Sequence, residues 1–374
     1  MAAGNAGLAY WHPIGKDGEG MATENKATLA GRAREVDYAS GLAQLSDTTP
    51  TRLIQSRGNL YWSSNPYVIE IRDAPRAQVS APSIYRASKL SQPGEEIALY
   101  AEQGTGGEFG ALTFAKVDDE FYAYFVANYA ASSQIKRIPL GAVTPSGAAY
   151  VLPTVPAELP TIGVSDLVTD GSFLCWADSE GIKSMPIGGG TVTTLVAGTG
   201  FGRLAVLGGT LYYVDGNTIY SVPMAGGTSS FVLGTRFFPI TALYVWASSP
   251  PVELAERPGP PGPPIVQDVG VVWGRADGGV FGMFRGETTT YQEPAAGITV
   301  ASVYEAEGRV LWFQQASPDA GAAAGPPKVL MSFQGITTTL SSNSIAAPLF
   351  SRLDVMADAE AAYWTWIYVQ NYTF

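Results

Sequence analysis

The sequence predicts an all-β fold built from small repeated sheets, and three observations lead to this prediction. A pattern of a turn residue, two or three apolar residues and an aromatic residue recurs seven times in the 374 residues, at spacings of about 40 to 60 residues. A second pattern places a proline at the end of several short β-branched segments. No stretch shows the apolar periodicity of repeated helices. Four short strands in a repeat of about 40–50 residues are typical of a β-propeller blade, so the sequence predicts a seven-bladed β-propeller of four-stranded antiparallel blades.

The first pattern predicts the second strand of each blade. A turn glycine or acidic residue precedes a short apolar run, and the aromatic residue serves as an anchor in the sheet. The seven copies lie at residues 58–62, 120–124, 171–176, 209–213, 270–273, 308–312 and 360–364.

The second pattern predicts the third strand, and a threonine-rich segment after it predicts the outer strand. Proline fits a strand end, where a missing N–H costs little. In the fourth blade these signals are complete, and the strands are expected, from innermost to outermost, at 203–207, 211–214, 218–222 and 229–233.

Both ends of the chain are expected to form the last blade. The final aromatic segment, 363–369, leaves room for only two strands, while 9–15 matches the third-strand pattern and 27–31 resembles an outer strand. The prediction is therefore one domain over residues 1–374, with blades 1–6 between about 49 and 341 and a seventh blade from about 350–374 plus 7–31. The alternative is that the Pro-Ile-Gly match recurs by chance in a chain rich in glycine and proline.

These repeats resemble bacterial β-propellers of the broad YWTD-like and NHL-like kind. The residues that carry the resemblance lie at 60–62, 175–178, 211–215 and 219–223. The resemblance implies the propeller fold. It implies no single function, because that superfamily includes lyases, hydrolases, ligand-binding modules and protein-interaction platforms.

Composition excludes several classes of function. The chain carries 22 Lys and Arg against 33 Asp and Glu, a net charge of −11, which is unlike the basic surface of a nucleic-acid binder. No apolar run approaches the length of a membrane span. The single cysteine, Cys175, and the single histidine, His12, argue against a disulfide framework, a Cys-based zinc site and a Ser-His-Asp triad. We expect no metal, no cofactor and a monomer.

The first 15 residues lack the basic and apolar regions of a signal peptide. Either the protein is cytoplasmic or the sequence is a mature form without its leader. The low lysine content and the many Thr, Ser, Gly and Tyr residues favour an extracellular or periplasmic location.

Long connections are expected on both faces of the ring. Segments 32–48, 63–82 and 316–327 are assigned to one face, and the proline-rich segment 250–264 to the other. Four aromatic residues are assigned to inserted loops, where they could stack on a sugar or a peptide: Tyr38, Tyr67, Tyr85 and Phe109.

The candidate binding residues lie on the inner strands. Counting ten residues back from an anchor gives Arg52, Asp166 and Arg203, and Arg352 lies twelve before the last anchor. Inner strands line the channel of a propeller, so these side chains could converge on one opening. Three guanidinium groups need anionic partners, either aspartates of the chain or the carboxylate or phosphate of a ligand. The alternative is that each arginine pairs locally or points between blades.

These residues support a non-enzymatic propeller that binds a small anionic ligand, a glycan or a protein, on the long-loop face or at the channel mouth. The alternative is a lyase or hydrolase acting on an anionic, carboxylate-bearing substrate at the central channel. In that case the arginines would neutralise charge and a tyrosine or aspartate would carry the proton. A structural or assembly role is the third hypothesis, and no catalytic residue is predicted.

Overall fold

All regular structure in the described part of the chain is β-strand, which confirms the predicted all-β class. The computed structural model describes residues 5–13, 48–56, 59–66, 68–69, 77–78, 83–88, 97–101, 108–117, 120–128, 133–140, 164–247, 268–306, 308–317, 327–342, 355–357 and 361–368. Within these ranges there is no helix long and apolar enough to cross a membrane.

The strands pair into antiparallel sheets that follow one another along the chain. The chain begins with β1 (Asn5–Pro13), which pairs with the last strand. After β2 (Thr48–Ser56) and β3 (Asn59–Pro66), the strands β4 (Val68–Ile69) and β5 (Ala77–Gln78) form a separate two-stranded ribbon. Sheet A consists of β2, β3, β6 (Ser83–Ser88) and β7 (Ile97–Ala101). Sheet B contains β8 (Glu108–Val117), β9 (Glu120–Asn128) and β10 (Ser133–Pro139). Sheet C contains β11 (Asp166–Thr169), β12 (Phe173–Ala177), β13 (Gly181–Pro186) and β14 (Thr193–Ala197).

The remaining sheets continue the same order. Sheet D contains β15 (Phe201–Leu207), β16 (Thr210–Asp215), β17 (Thr218–Pro223) and β18 (Ser230–Gly234). Sheet E contains β19 (Ile240–Ala247), β20 (Val269–Arg275), β21 (Val280–Phe284) and β22 (Glu287–Gln292). Sheet F contains β23 (Ile298–Ala306), β24 (Arg309–Ala316), β25 (Lys328–Phe333) and β26 (Ile336–Ser342). Sheet G contains β27 (Val355–Ala357), β28 (Ala361–Tyr368) and β1.

Five of these sheets have the predicted four antiparallel strands, namely A, C, D, E and F. In sheet D all four strands lie within two residues of the bounds expected from sequence. The agreement follows from turn glycines that fix the strand ends. Gly209 and Gly171, which begin the copies of the first pattern in sheets D and C, have φ angles of +75° and +91°, a conformation that residues with side chains rarely adopt.

The core lies between neighbouring sheets. Trp176 of sheet C is fully buried and packs in a cluster that includes Tyr124 and Val126 of sheet B. Trp312 of sheet F packs in the same way in a cluster that includes Val272 of sheet E. Both faces of a sheet are therefore covered by its neighbours, which explains why its second strand carries an unbroken apolar run.

One strand of each sheet contacts its counterpart in the next sheet. These strands, here called the inner strands, are β2, β8, β11, β15, β19, β23 and β27. They contact one another in that order, and β27 also contacts β2. The two ends of the chain meet in sheet G, where Tyr10 faces Trp364 across the β1–β28 pair. Segment 27–31, expected as an outer strand, lies outside the described residues.

Two of the loop aromatics were assigned wrongly from sequence. Phe109 lies in β8 and is only 2% exposed, and Tyr85 lies in β6. Neither belongs to the first pattern, so the repeat count left both outside the strands. Tyr38 and Tyr67 lie outside the described residues, as do the proline-rich segment 250–264 and most of the other long connections.

Candidate functional site: an axial cavity

Six inner strands surround one cavity of about 280 Å³. We divide the residues of its wall into three levels. A level is defined by position along the inner strand, relative to the residue that pairs with the anchor aromatic of the second strand. The middle level consists of the residues that face an anchor across the sheet: Thr113, Leu167, Leu204, Leu243, Val303 and Val355. The residues one position earlier form the first level: Leu112, Asp166, Arg203, Ala242 and Ser302. The residues one position later form the third level: Phe114, Val168, Ala205, Tyr244 and Tyr304.

A backbone irregularity recurs where the inner strands enter the cavity wall. In five sheets the pairing between the inner and second strands shifts register near the start of the inner strand: at 50–52, 109–112, 201–204, 240–242 and 300–302. Such bulges increase the local twist and re-aim the side chains beside them. They also break the strand-to-strand ladder, so backbone groups at this level need other partners.

Asp166 supplies a partner at one of these bulges, that of sheet D, and a second acceptor within sheet C, whose pairing shows no register shift. Its side chain is almost fully buried, at 1% exposure. Oδ1 accepts a hydrogen bond from the backbone N–H of Leu167, and Oδ2 accepts one from the N–H of Leu204 in the next sheet, each at 3.0 Å. The carboxylate therefore joins sheet C to sheet D.

Arg203 continues this linkage across two further sheets. Its Nη2 donates to the carbonyl oxygen of Ala301 at 2.9 Å, and its Nε donates to the carbonyl oxygen of Thr241 at 3.4 Å. The Thr241 hydroxyl donates to the carbonyl oxygen of Val300 at 2.5 Å. We call the side chains of Asp166, Arg203 and Thr241 the inter-sheet belt, because each binds the backbone of a neighbouring sheet.

The structure brings two of the four candidate residues together. Asp166 and Arg203 lie at the first level of the same cavity, on adjacent inner strands. Arg52 lies in β2 one position before Leu53, which faces Trp62, so it has the same register as Arg203, but its side chain lies outside the described residues.

The fourth candidate, Arg352, lies outside the described residues. Val355 of β27 faces the anchor Trp364 as Leu204 faces Tyr213. The place of Arg352 relative to the other three candidates stays a prediction.

A pair of tyrosines at the third level was missed from sequence. The rings of Tyr244 and Tyr304 have centroids 4.4 Å apart and planes inclined by 40°. Burial, and then the neighbouring Tyr304 and Glu305, raise the pKa of the Tyr244 hydroxyl, which therefore stays neutral at ordinary pH. Both tyrosines immediately follow a residue that faces an anchor, and this register was the signal that could have found them.

Among the described residues, no group of three His, Cys, Asp or Glu side chains could hold a metal ion. His12 lies in β1 opposite Ala362, and its side chain is outside the described part. Cys175 is fully buried in β12 within a cluster that includes Leu211 and Tyr213, away from the cavity wall.

The thiol of Cys175 should make stability depend on pH above its unfolded-state pKa. Burial raises its pKa to about 12, although a hydrogen bond with Ser184 opposes part of the rise. An unfolded cysteine titrates near pH ~8.5, so the folded state holds the proton more tightly and loses this advantage as pH rises. Between about pH 9 and 11, wild type should lose about 1.4 kcal/mol per pH unit relative to Cys175→Ala in urea unfolding. Parallel stability curves for the two proteins would contradict this.

Comparison with known proteins identifies no family. No protein-family model matches the chain, and no curated protein matches it by sequence. Solved structures do match. The extracellular domain of a one-component system from B. thetaiotaomicron is 11% identical with a TM-score of 0.46, covering 85% of this chain and 38% of that one. Prolyl oligopeptidase B from Galerina marginata is 11% identical with a TM-score of 0.48, covering 96% of this chain and 55% of that one. The AfRom2 CNH domain is 8% identical with a TM-score of 0.45, covering 86% of this chain and 95% of that one.

The fold is β-propeller-like. Four-stranded antiparallel sheets follow one another along the chain, and their inner strands surround a common cavity. At these identities the likeness to solved structures is one of fold alone, and the chain spans only about two fifths of the first of them. Function has to be argued from the cavity itself.

Proposed function

We propose that the protein is a seven-bladed propeller of the YWTD-like or NHL-like kind, a single domain over residues 1–374, that binds a small molecule in its axial cavity without transforming it. Support for the ring comes from the contact between β27 and β2 and from the pairing of β1 with β28. The low lysine content supports an extracellular or periplasmic location, and we propose a monomer.

The observation that carries the binding proposal is the convergence of six inner strands on one cavity of about 280 Å³. Its wall combines hydrocarbon side chains with a few polar ones, which is the usual composition of small-molecule sites. A ring of sheets needs no inserted loop or second domain to form a ligand site, because the inner strands already enclose a concave surface along the axis.

The hydrogen bonds of the belt favour binding over catalysis on an anionic substrate. Arg203 already donates Nε and Nη2 to the carbonyl oxygens of Thr241 and Ala301. A substrate carboxylate would compete with these carbonyls for the guanidinium, and a carbonyl that loses its donor costs free energy. The lyase or hydrolase alternative therefore sets the substrate against bonds of the cavity wall, whereas binding to the third level does not.

Filling the cavity tests the proposal. Ala205 lines the wall and is 8% exposed, so Ala205→Leu should occupy space that a ligand needs. We expect at least one of phenol, indole, benzoate, cyclohexanol, glucose and citrate to bind wild type in ligand-observed NMR, and Ala205→Leu to weaken that binding at least tenfold. Overpacking costs about 1–3 kcal/mol, and thermal unfolding will show whether the variant remains folded.

The matched control is Ala197→Leu, on the exposed end of the outer strand β14. It adds the same side chain far from the cavity wall and should leave binding unchanged. If none of the six compounds distinguishes Ala205→Leu from Ala197→Leu, with the milder Ala205→Val giving the same result, the cavity is not a binding site.

A further inference from the structure

We infer that the ligand of the axial cavity is an uncharged aromatic ring carrying a hydrogen-bonding group, and that it packs against the Tyr244–Tyr304 pair. This inference rests on the proposed binding function and names the class of ligand. It departs from the anionic ligand that the arginines suggested in the sequence.

The first step of the argument concerns charge. At the first level, Asp166 is bound to two backbone N–H groups and Arg203 to two backbone carbonyls. A charged ligand entering here would compete with bonds that hold neighbouring sheets together. At the other two levels no described side chain is ionisable except the tyrosines, and an unpaired buried charge is strongly disfavoured there.

The second step concerns shape and surface. The third level is aromatic on sheets B, E and F, through Phe114, Tyr244 and Tyr304. It is small on sheet D, where Ala205 leaves room on the strand next to that of Tyr244. Aromatic rings attract one another in offset or tilted arrangements beyond the effect of burial. A flat ring is therefore the ligand shape that this level favours.

The third step concerns hydrogen bonds. The Tyr244 hydroxyl shares a hydrogen bond with Tyr304, has a raised pKa and stays protonated, and because a hydroxyl can make more than one hydrogen bond it can still serve a ligand. One or two polar groups on a ligand can be satisfied by this hydroxyl and that of Thr113. A sugar carries many more hydroxyls, and Leu204, Leu243 and Val303 of the middle level offer them no partner, so a glycan is disfavoured.

The experiment compares small cyclic compounds that differ in aromaticity, charge and number of hydroxyl groups. Dissociation constants for phenol, indole, benzoate, cyclohexanol and glucose would be measured at pH 7 by ligand-observed NMR on the full chain. We expect phenol and indole to bind at least tenfold more tightly than benzoate, cyclohexanol or glucose. Because both Tyr244→Phe and Tyr304→Phe keep the ring and remove only a hydroxyl, each should weaken phenol binding about 3- to 10-fold.

The matched control is Tyr220→Phe, a half-buried tyrosine in β17 outside the cavity wall, which should leave phenol binding unchanged. Tyr244→Leu removes the ring and should abolish the preference for phenol over cyclohexanol. If benzoate or glucose binds more tightly than phenol and is lost in Ala205→Leu, the ligand class is wrong but the binding function stands. If phenol binding is indifferent to both cavity tyrosines, the inference is wrong. If no compound responds to Ala205→Leu, the binding function itself fails.

Discussion

Replacing Asp166 with alanine should lower the free energy of unfolding by about 3 kcal/mol. The carboxylate is buried and accepts hydrogen bonds from Leu167 of its own strand and Leu204 of the next sheet. Alanine leaves both N–H groups buried without this acceptor, and each loss costs about 1–3 kcal/mol. Because one of the two bonds joins sheets C and D, the loss weakens the contact between sheets as well as the strand. Urea unfolding followed by tryptophan fluorescence would measure the change.

Asp215 provides the matched control, since it lies at the exposed end of β16 in sheet D, the sheet to which the Asp166 carboxylate bonds. Asp215→Ala should change stability by no more than about 0.5 kcal/mol. Asp166→Asn keeps one oxygen acceptor and should fall between the two. Equal stabilities for Asp166→Ala and Asp215→Ala would show that the carboxylate contributes nothing across the sheets.

The strands and their anchors were predictable because their signals are local. A glycine with positive φ, such as Gly171, has to lie at the turn, and the apolar run after it has to be buried on both sides. The anchor Trp176 then follows at a fixed distance along one strand. None of these signals depends on residues far away in the chain.

The cavity was only half predictable, because the hydrogen-bond partners of its polar side chains are distant in the chain and are backbone groups. Arg203 binds the carbonyl oxygen of Ala301, 98 residues away, and no side-chain type in the sequence marks a carbonyl as an acceptor. An arginine seen without its partner suggests an anion, which is why the sequence pointed to an anionic ligand. Tyr244 and Tyr304 hold the same register within their repeats, but their rings meet only because sheets E and F are neighbours, and that contact is not written within either repeat.

Replacing Trp176 with alanine should lower the free energy of unfolding by about 4 kcal/mol. The indole is fully buried between sheets B and C, where it packs in one cluster with Tyr124 and Leu167. Truncation removes its buried surface and leaves a cavity that two rigid sheets cannot easily close, and such changes cost about 3–5 kcal/mol. The change would be measured by urea unfolding followed by far-UV circular dichroism, since the variant loses a fluorescent residue.

A comparison of two phenylalanine variants separates the hydrogen bond of this anchor from its packing. The indole N–H of Trp176 donates to Oδ2 of Asp178 at 3.2 Å, whereas the N–H of the equally buried Trp312 has no acceptor among the described residues. Trp176→Phe should therefore cost about 1 kcal/mol more than Trp312→Phe, because only the first removes a bond to a carboxylate. If Trp312→Phe costs as much, packing alone holds both anchors. The bond between Trp176 and Asp178 would then add nothing to the stability of sheet C.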